Sequence, residues 1–307
     1  MQIPLIPVVL SILQIFGMFG IGILTRYFKY FTDEDLNKMS RFTVDCLMPF
    51  LIFHAIVTSF KHNQTSNLLL MPVIGFLIIA IGAVAGILLK KGLKSKDPDI
   101  IKTFHHFCAI NNYRFLPIII VQNVFGEARL ADLFFLNLGS QIAYWTIGVA
   151  LLGETDIKIA MKNLLTPSII ALFLAIIIGM SGMQTIIPLT IMNIFKTAGQ
   201  AAIPLILILI GASLYQVKLQ SHLRDLLYLT FVRLALIPFI LIMVFKAIPM
   251  PDYIYNISLI IALMPVASST AVLTRRFGGS PSFAAAAAVI THVFAIITVP
   301  AGLYLLG

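Results

Sequence analysis

The stretch AINNYRFLPIIIVQNVFG, residues 109–126, has the apolar content of a membrane span. It nevertheless concentrates two asparagines, an arginine and a proline within positions 111–117. An arginine at the centre of a membrane helix costs about 2.5–3.5 kcal/mol on insertion scales, so it is normally turned toward the protein interior or a wet cavity. Pro117 removes its own N–H donor and frees the carbonyl of Tyr113 four residues earlier. A span that carries both costs is expected to be an interrupted helix built around a polar group near the midplane.

The rest of the chain supports a membrane setting. Of its 307 residues 60% are hydrophobic and 11% charged, and the mean hydropathy of +1.01 excludes an ordinary soluble domain. Apolar runs recur at 5–25, 68–89, 168–181, 201–214, 234–248 and 284–306. About 20 residues cross 30 Å of hydrocarbon, so the class is an all-α polytopic membrane protein. Ten transmembrane helices are expected at 5–26, 41–60, 67–89, 103–123, 132–152, 164–182, 197–215, 225–247, 253–274 and 283–306. The first run lacks a basic flank and a small-residue cleavage site before Arg26, and is read as a retained span rather than a signal peptide. Cys46 and Cys108 both fall in expected spans and are read as packing residues. No nucleotide loop, zinc motif or nucleophile elbow is visible, which points away from an enzyme, from a cofactor and from a bound metal, and toward a secondary transport mechanism.

The net charge of +9 is a topology signal rather than a nucleic-acid footprint. With the N-terminus outside, only Lys61, Arg129, Lys196 and Lys246 fall in outer connections, and Arg114 and Arg233 fall within spans. All the other Lys and Arg residues cluster in the five inner connections, each of which holds at least two. That asymmetry places both termini outside a multi-pass protein of the plasma membrane, the inner membrane if bacterial.

Ten spans invite a search for repeats. Pro49 and Asp45 of the second span align with Pro204 and Gln200 of the seventh at an offset of 155, and Phe125-Gly126 of the fourth aligns with Phe277-Gly278 of the ninth at 152. Two five-span halves follow, 1–153 and 154–307, forming one membrane unit. An odd number of spans per half inverts the second copy, which places a ligand site where discontinuous helices meet at the midplane.

The polar residues concentrate in the same two spans. Asn111, Asn112 and Arg114 precede Pro117 in the fourth, and LMPVASSTAVLT, 263–274, places Ser268, Ser269 and Thr270 just after Pro265 in the ninth. Free N–H groups and half-helix dipoles at such interruptions attract anions. The region is therefore either a positively biased substrate site or a structural network in which the asparagines cap broken backbone and Arg114 snorkels or pairs with Asp45. Asp45 is the one carboxylate placed inside a span, the other acids lying in connections or close to them, and it is read either as a proton-coupling group or as a solvated helix-end charge. His54 and His292 are either proton relays or packing residues. Arg233 is left open between lining a cavity and snorkelling.

The quoted stretch, together with MPVASSTAVLTRRFGG (264–279), ITHVFAIITVP (290–300) and MPFLIFHAI (48–56), resembles the auxin efflux carrier family. That family comprises the plant PIN-like transporters and their bacterial organic-acid relatives, and the resemblance covers essentially the whole chain. It implies two inverted five-helix repeats with broken helices four and nine crossing at prolines, a small carboxylate substrate held at the crossing, and a homodimer in the lipid bilayer. Asn112 matches the family's asparagine ahead of the first crossing, and Pro265 the proline of the second. The family pattern continues from the asparagine as Gly-Phe-Leu-Gly-x-Pro; here Arg114, Pro117 and Ile119 occupy the two glycine positions and the proline position. The departure shifts the expected break by up to two residues and adds a cation suited to an anion, including one with a second carboxylate such as malate or malonate. A sodium-coupled carrier of another substrate, and a ligand-binding receptor without transport, are the alternative readings.

Overall fold

A computed structural model describes residues 3–60, 69–154, 156–215, 217 and 222–306. Lys61 and Lys218 of the charge argument, and the first two residues of the expected 67–89 span, lie outside the described residues. The elements are α1 (Leu5–Tyr27), α2 (Asp33–Phe42), α3 (Met48–Ser59), α4 (Leu70–Leu89), α5 (Pro98–Ala109), α6 (Leu116–Phe125), α7 (Leu130–Ala143), α8 (Ile157–Leu164), α9 (Pro167–Ser181), α10 (Leu189–Leu214), α11 (Leu223–Phe231), α12 (Ile237–Ala247), α13 (Asp252–Ala262), α14 (Thr270–Phe277) and α15 (Pro281–Leu306). Among the described residues there is no β-strand, and an isolated antiparallel bridge joins Asn111 to Val266.

Wide turns rather than kinks absorb two of the prolines. α2 runs into α3 through a π turn at Thr43–Leu47, and α11 into α12 through another at Val232–Leu236. The Met48 N–H bonds the Thr43 carbonyl and the Ile237 N–H that of Val232, so each turn is one residue wider than an α turn. Pro49 and Pro238 follow immediately. Proline offers no bond to the carbonyl four residues back and crowds it, and the wider turn relieves both problems.

Among the described residues six continuous helices are long and apolar enough to cross a bilayer: Leu5–Tyr27, Asp33–Ser59, Leu70–Gly92, Leu189–Leu214, Leu223–Ala247 and Pro281–Leu306. The expected 164–182 span coincides with α9, and 132–152 with α7 and a third π turn at Tyr144–Gly148. The 103–123 and 253–274 spans are each two helices, α5 with α6 and α13 with α14, separated by non-helical links at 110–115 and 263–269. Large apolar side chains such as Leu10, Leu13, Val84, Leu88, Phe173 and Ile297 lie exposed on the flanks, a surface suited to lipid.

One sequence expectation is corrected by position. Cys46 is exposed on its π turn, because that turn presents it away from the packed interior, whereas Cys108 is buried as expected. Asp45 is exposed on the same turn, and among the described residues the buried acid is Asp225, in the first turn of α11. Its two carboxylate oxygens accept the Lys94 and Ser95 N–H groups at 2.7 and 3.0 Å, which fixes the connection ahead of α5.

α1 packs along α10, α3 against α9 and α10, α4 against α5 and α7, and α15 against α11 and α14. The α1–α10 seam is a backbone-to-backbone approach. A Cβ built on Gly22 would lie 2.0 Å from the Ile208 carbonyl oxygen, and one on Gly211 would lie 2.4 Å from the Phe19 Cα. Close approach through small residues is how helices gain contact when lipid supplies no hydrophobic drive. Gly211→Val should therefore lower the thermal midpoint in detergent and broaden the size-exclusion profile. A substitution at Gly17, where an added Cβ meets nothing within 4 Å, should do neither.

Candidate functional site

The two non-helical links lie against each other. The Asn112 N–H donates to the Pro265 carbonyl at 2.8 Å beside the Asn111–Val266 bridge. Pro265 cannot donate to the Ile261 carbonyl, and the Asn111 Nδ2 does so at 2.5 Å, alongside the Met264 N–H at 3.1 Å. An asparagine of one interruption thus completes the backbone of the other. The Asn112 Nδ2 donates to the His292 Nε2 at 3.4 Å, while the Asn112 Oδ1 accepts the Phe115 N–H at 3.4 Å. His292 is placed to accept because its Nδ1 faces the Ala288 carbonyl at 2.7 Å and can only donate there.

Arg233 ties the helix ends behind this contact. It is completely buried, and donates from Nη2 to Ala262 (2.7 Å), from Nε to Met264 (3.2 Å) and from Nη1 to Cys108 (3.4 Å), all backbone carbonyls. The Cys108 and Ala262 carbonyls end α5 and α13, and that of Met264 lies in the link just beyond α13. Each helix C-terminus carries roughly half a negative charge, so two of them together approach the countercharge a guanidinium needs. The open choice for Arg233 thus resolves into neither alternative: it is an internal staple.

In front of the contact the balance is positive. α6 begins at Leu116 and α14 at Thr270, so both half-helices present N-termini beside the links. A cavity of about 30 Å³ there is lined by Asn111, Asn112, Tyr113, Arg114, Phe115, Tyr144, Ala267, Ser268 and Ser269. The Arg114 guanidinium donates to the Gln141 Oε1, which also accepts the Tyr113 hydroxyl at 3.1 Å. A neighbouring cavity of about 70 Å³ shares Tyr113, Arg114 and Phe115 and extends between Met48, Ile52, Phe134, Leu138, Gln141, Ile169 and Leu172. Arg114 therefore stands between a small polar recess and a larger apolar one, with Gln141 and, among the described residues, no carboxylate as its hydrogen-bond partner.

Five of the sequence candidates, Asn111, Asn112, Arg114, Ser268 and Ser269, share this one recess. Pro265 forms the backbone contact, and Pro117 is the second residue of α6, starting the helix rather than breaking it. Thr270 begins α14 buried against the His106 Nε2 at 3.4 Å, and the His106 Nδ1 donates to the Gly148 carbonyl of the third π turn at 2.8 Å. His292 touches the site through Asn112. His54 is elsewhere, in a cavity of about 250 Å³ with Gln122, Glu127, Lys196 and Gln200. Asp45 lines none of the three cavities named here.

Arg233, Gln141, Tyr144 and His106 were not singled out as site residues by the sequence reading. One signal was available: Asn137, Gln141 and Tyr144 are spaced i, i+4, i+7 and put a polar stripe on one face of a mostly apolar span. The residues that close the second half-helices also agree in conformation. Gly126 has φ 86° and ψ 168°, and Gly278, 152 residues later, has φ 101° and ψ 161°, values open to glycine and strained for other residues.

A family model described as "Membrane transport protein" matches residues 7–161 and 152–302. An uncharacterized transporter of Methanothermobacter thermautotrophicus is 23% identical over 268 residues, covering 86% of each chain. An uncharacterized transporter of Methanocaldococcus jannaschii is 24% identical over 285 residues, covering 91% of this chain and 92% of its own. These relatives are transporters by name, and no enzyme is among them. With both stretches of its length matched and its helices long enough to span a bilayer, the chain belongs to the membrane transport protein family, that of the auxin efflux carriers.

Proposed function

We propose that the protein is a secondary transporter of small organic anions, with mono- and dicarboxylates as the substrate class. Substrate sits where the interruptions of the fourth and ninth spans meet, and access alternates around that point. The observation that carries this reading is the placement of Arg114 and two half-helix N-termini on one recess while Arg233 occupies the helix C-termini behind it. A carboxylate there meets a guanidinium and the positive ends of two helix dipoles. The apolar recess beyond Arg114 leaves room for a carbon skeleton. Arrangement as two inverted five-span halves is supported by the 152-residue offset between Gly126 and Gly278 and by the consecutive family matches. The charge asymmetry of the connections supports both termini outside.

A sodium-coupled reading is less favoured, because four carbonyls at the interruptions are already bonded: Ile261 to Asn111, and Cys108, Ala262 and Met264 to Arg233. Of the three groups considered for proton coupling, His292 is the one in contact with the site, through Asn112.

Counterflow in proteoliposomes tests the proposal. Vesicles loaded with an unlabelled carboxylate from a panel of mono- and dicarboxylates should accumulate the labelled acid transiently, and neutral or cationic analogues should not support exchange. Saturable binding without flux for every acid would instead make the protein a receptor.

A further inference from the structure

The Asn111 side chain is 1% exposed, and its Oδ1 has no hydrogen-bond partner among the described residues. The orientation of this amide is not free. The Ile261 carbonyl can only accept, so the Asn111 nitrogen must face it, and the oxygen is left as a fixed acceptor. A buried acceptor without a donor is costly, and such groups in native proteins call for a partner. Asn111 lines the same 30 Å³ recess as Arg114, Ser268 and Ser269. That volume admits a group of about one or two water molecules in size.

Resting on the anion-transport reading above, we infer that Asn111 is a specificity residue whose Oδ1 accepts a hydroxyl carried by the substrate next to its carboxylate, so that 2-hydroxy acids are selected over their deoxy counterparts. Charge narrows the donor to a neutral one. An ammonium in the recess would face the Arg114 guanidinium and the positive end of α14, whereas a hydroxyl meets no such repulsion. The number of carboxylates does not enter, because the acceptor reads the substituent beside the carboxylate that Arg114 holds.

The test is competition binding to the purified full-length protein with two matched pairs, L-lactate against propionate and L-malate against succinate. In each pair the hydroxy acid should bind roughly tenfold or more tightly, the loss expected when a buried acceptor stays unmet. Asn111→Ala should bring the ratio within each pair close to one, whatever the absolute affinities. Equal binding within both wild-type pairs overturns this inference and leaves the anion reading standing. No binding by any of the four acids overturns both. If the variant does not fold, the wild-type ratios decide; if it folds and keeps the preference, Asn111 is not the selector.

Discussion

Arg233→Met should give a protein that inserts but is markedly unstable once extracted, with no measurable carboxylate exchange. The guanidinium supplies donors to three carbonyls, two that end different helices and one in the link beyond α13, and methionine fills the volume while supplying none. Leaving a buried acceptor unmet costs about 1–3 kcal/mol, so three of them remove several kcal/mol, with the two half-helix C-termini facing each other uncompensated. Since Arg233 lines none of the cavities around Arg114, its effect is on the scaffold of the site. Arg233→Lys should recover part of the stability, because an ammonium keeps the charge but lacks the planar spread that reaches residues 108, 262 and 264 together. A thermal midpoint for Arg233→Met within a degree of wild type would refute the staple.

Arg114→Gln should show the opposite profile, with wild-type stability and affinity for carboxylates reduced about ten- to a hundredfold. That range is the worth of a hydrogen bond to a charged group, about 1.5–3 kcal/mol. Arg114 is partly exposed to its cavities and bonded to Gln141, so glutamine breaks no helix-end contact. Arg114→Lys should recover less than full affinity, since a point charge cannot serve Gln141 and a carboxylate in one plane. Together the two arginines separate scaffold from recognition: one substitution moves stability, the other moves affinity. A loss of stability in Arg114→Gln equal to that of Arg233→Met would collapse the distinction.

Much of this arrangement is legible in the sequence because its causes are local. A proline after a polar cluster in an apolar run marks an interruption wherever it occurs, and five of the residues named on that basis share one recess. The details of chain direction are also local: Arg114 and Pro117 in place of glycines leave the link at 110–115, with Pro117 just inside α6. What the sequence does not disclose is tertiary. The acceptors of Arg233 lie on α5, on α13 and in the link that follows α13, 125 and 29 to 31 residues away, and no spacing rule connects them. Cys46 reads as a packing residue because its span is apolar, but a π turn rotates that segment and exposes it together with Asp45. The turn itself is hinted at by Pro49, since a proline can be met by a kink or by a wider turn, and only packing chooses between them.

The central claim is that the two interruptions form one substrate site, and the chain carries its own reporter for it. Trp145 is the single tryptophan, packed edge-on against Tyr144 at 5.2 Å, and Tyr144 lines the recess. The decisive measurement is a titration of Trp145 emission with L-malate in the wild type, in Arg114→Gln from the first interruption and in Ser269→Ala from the second. One shared site predicts a saturable change in the wild type, an apparent Kd at least tenfold higher in Arg114→Gln, and one about two- to tenfold higher in Ser269→Ala. Wild-type affinity in either variant would contradict it.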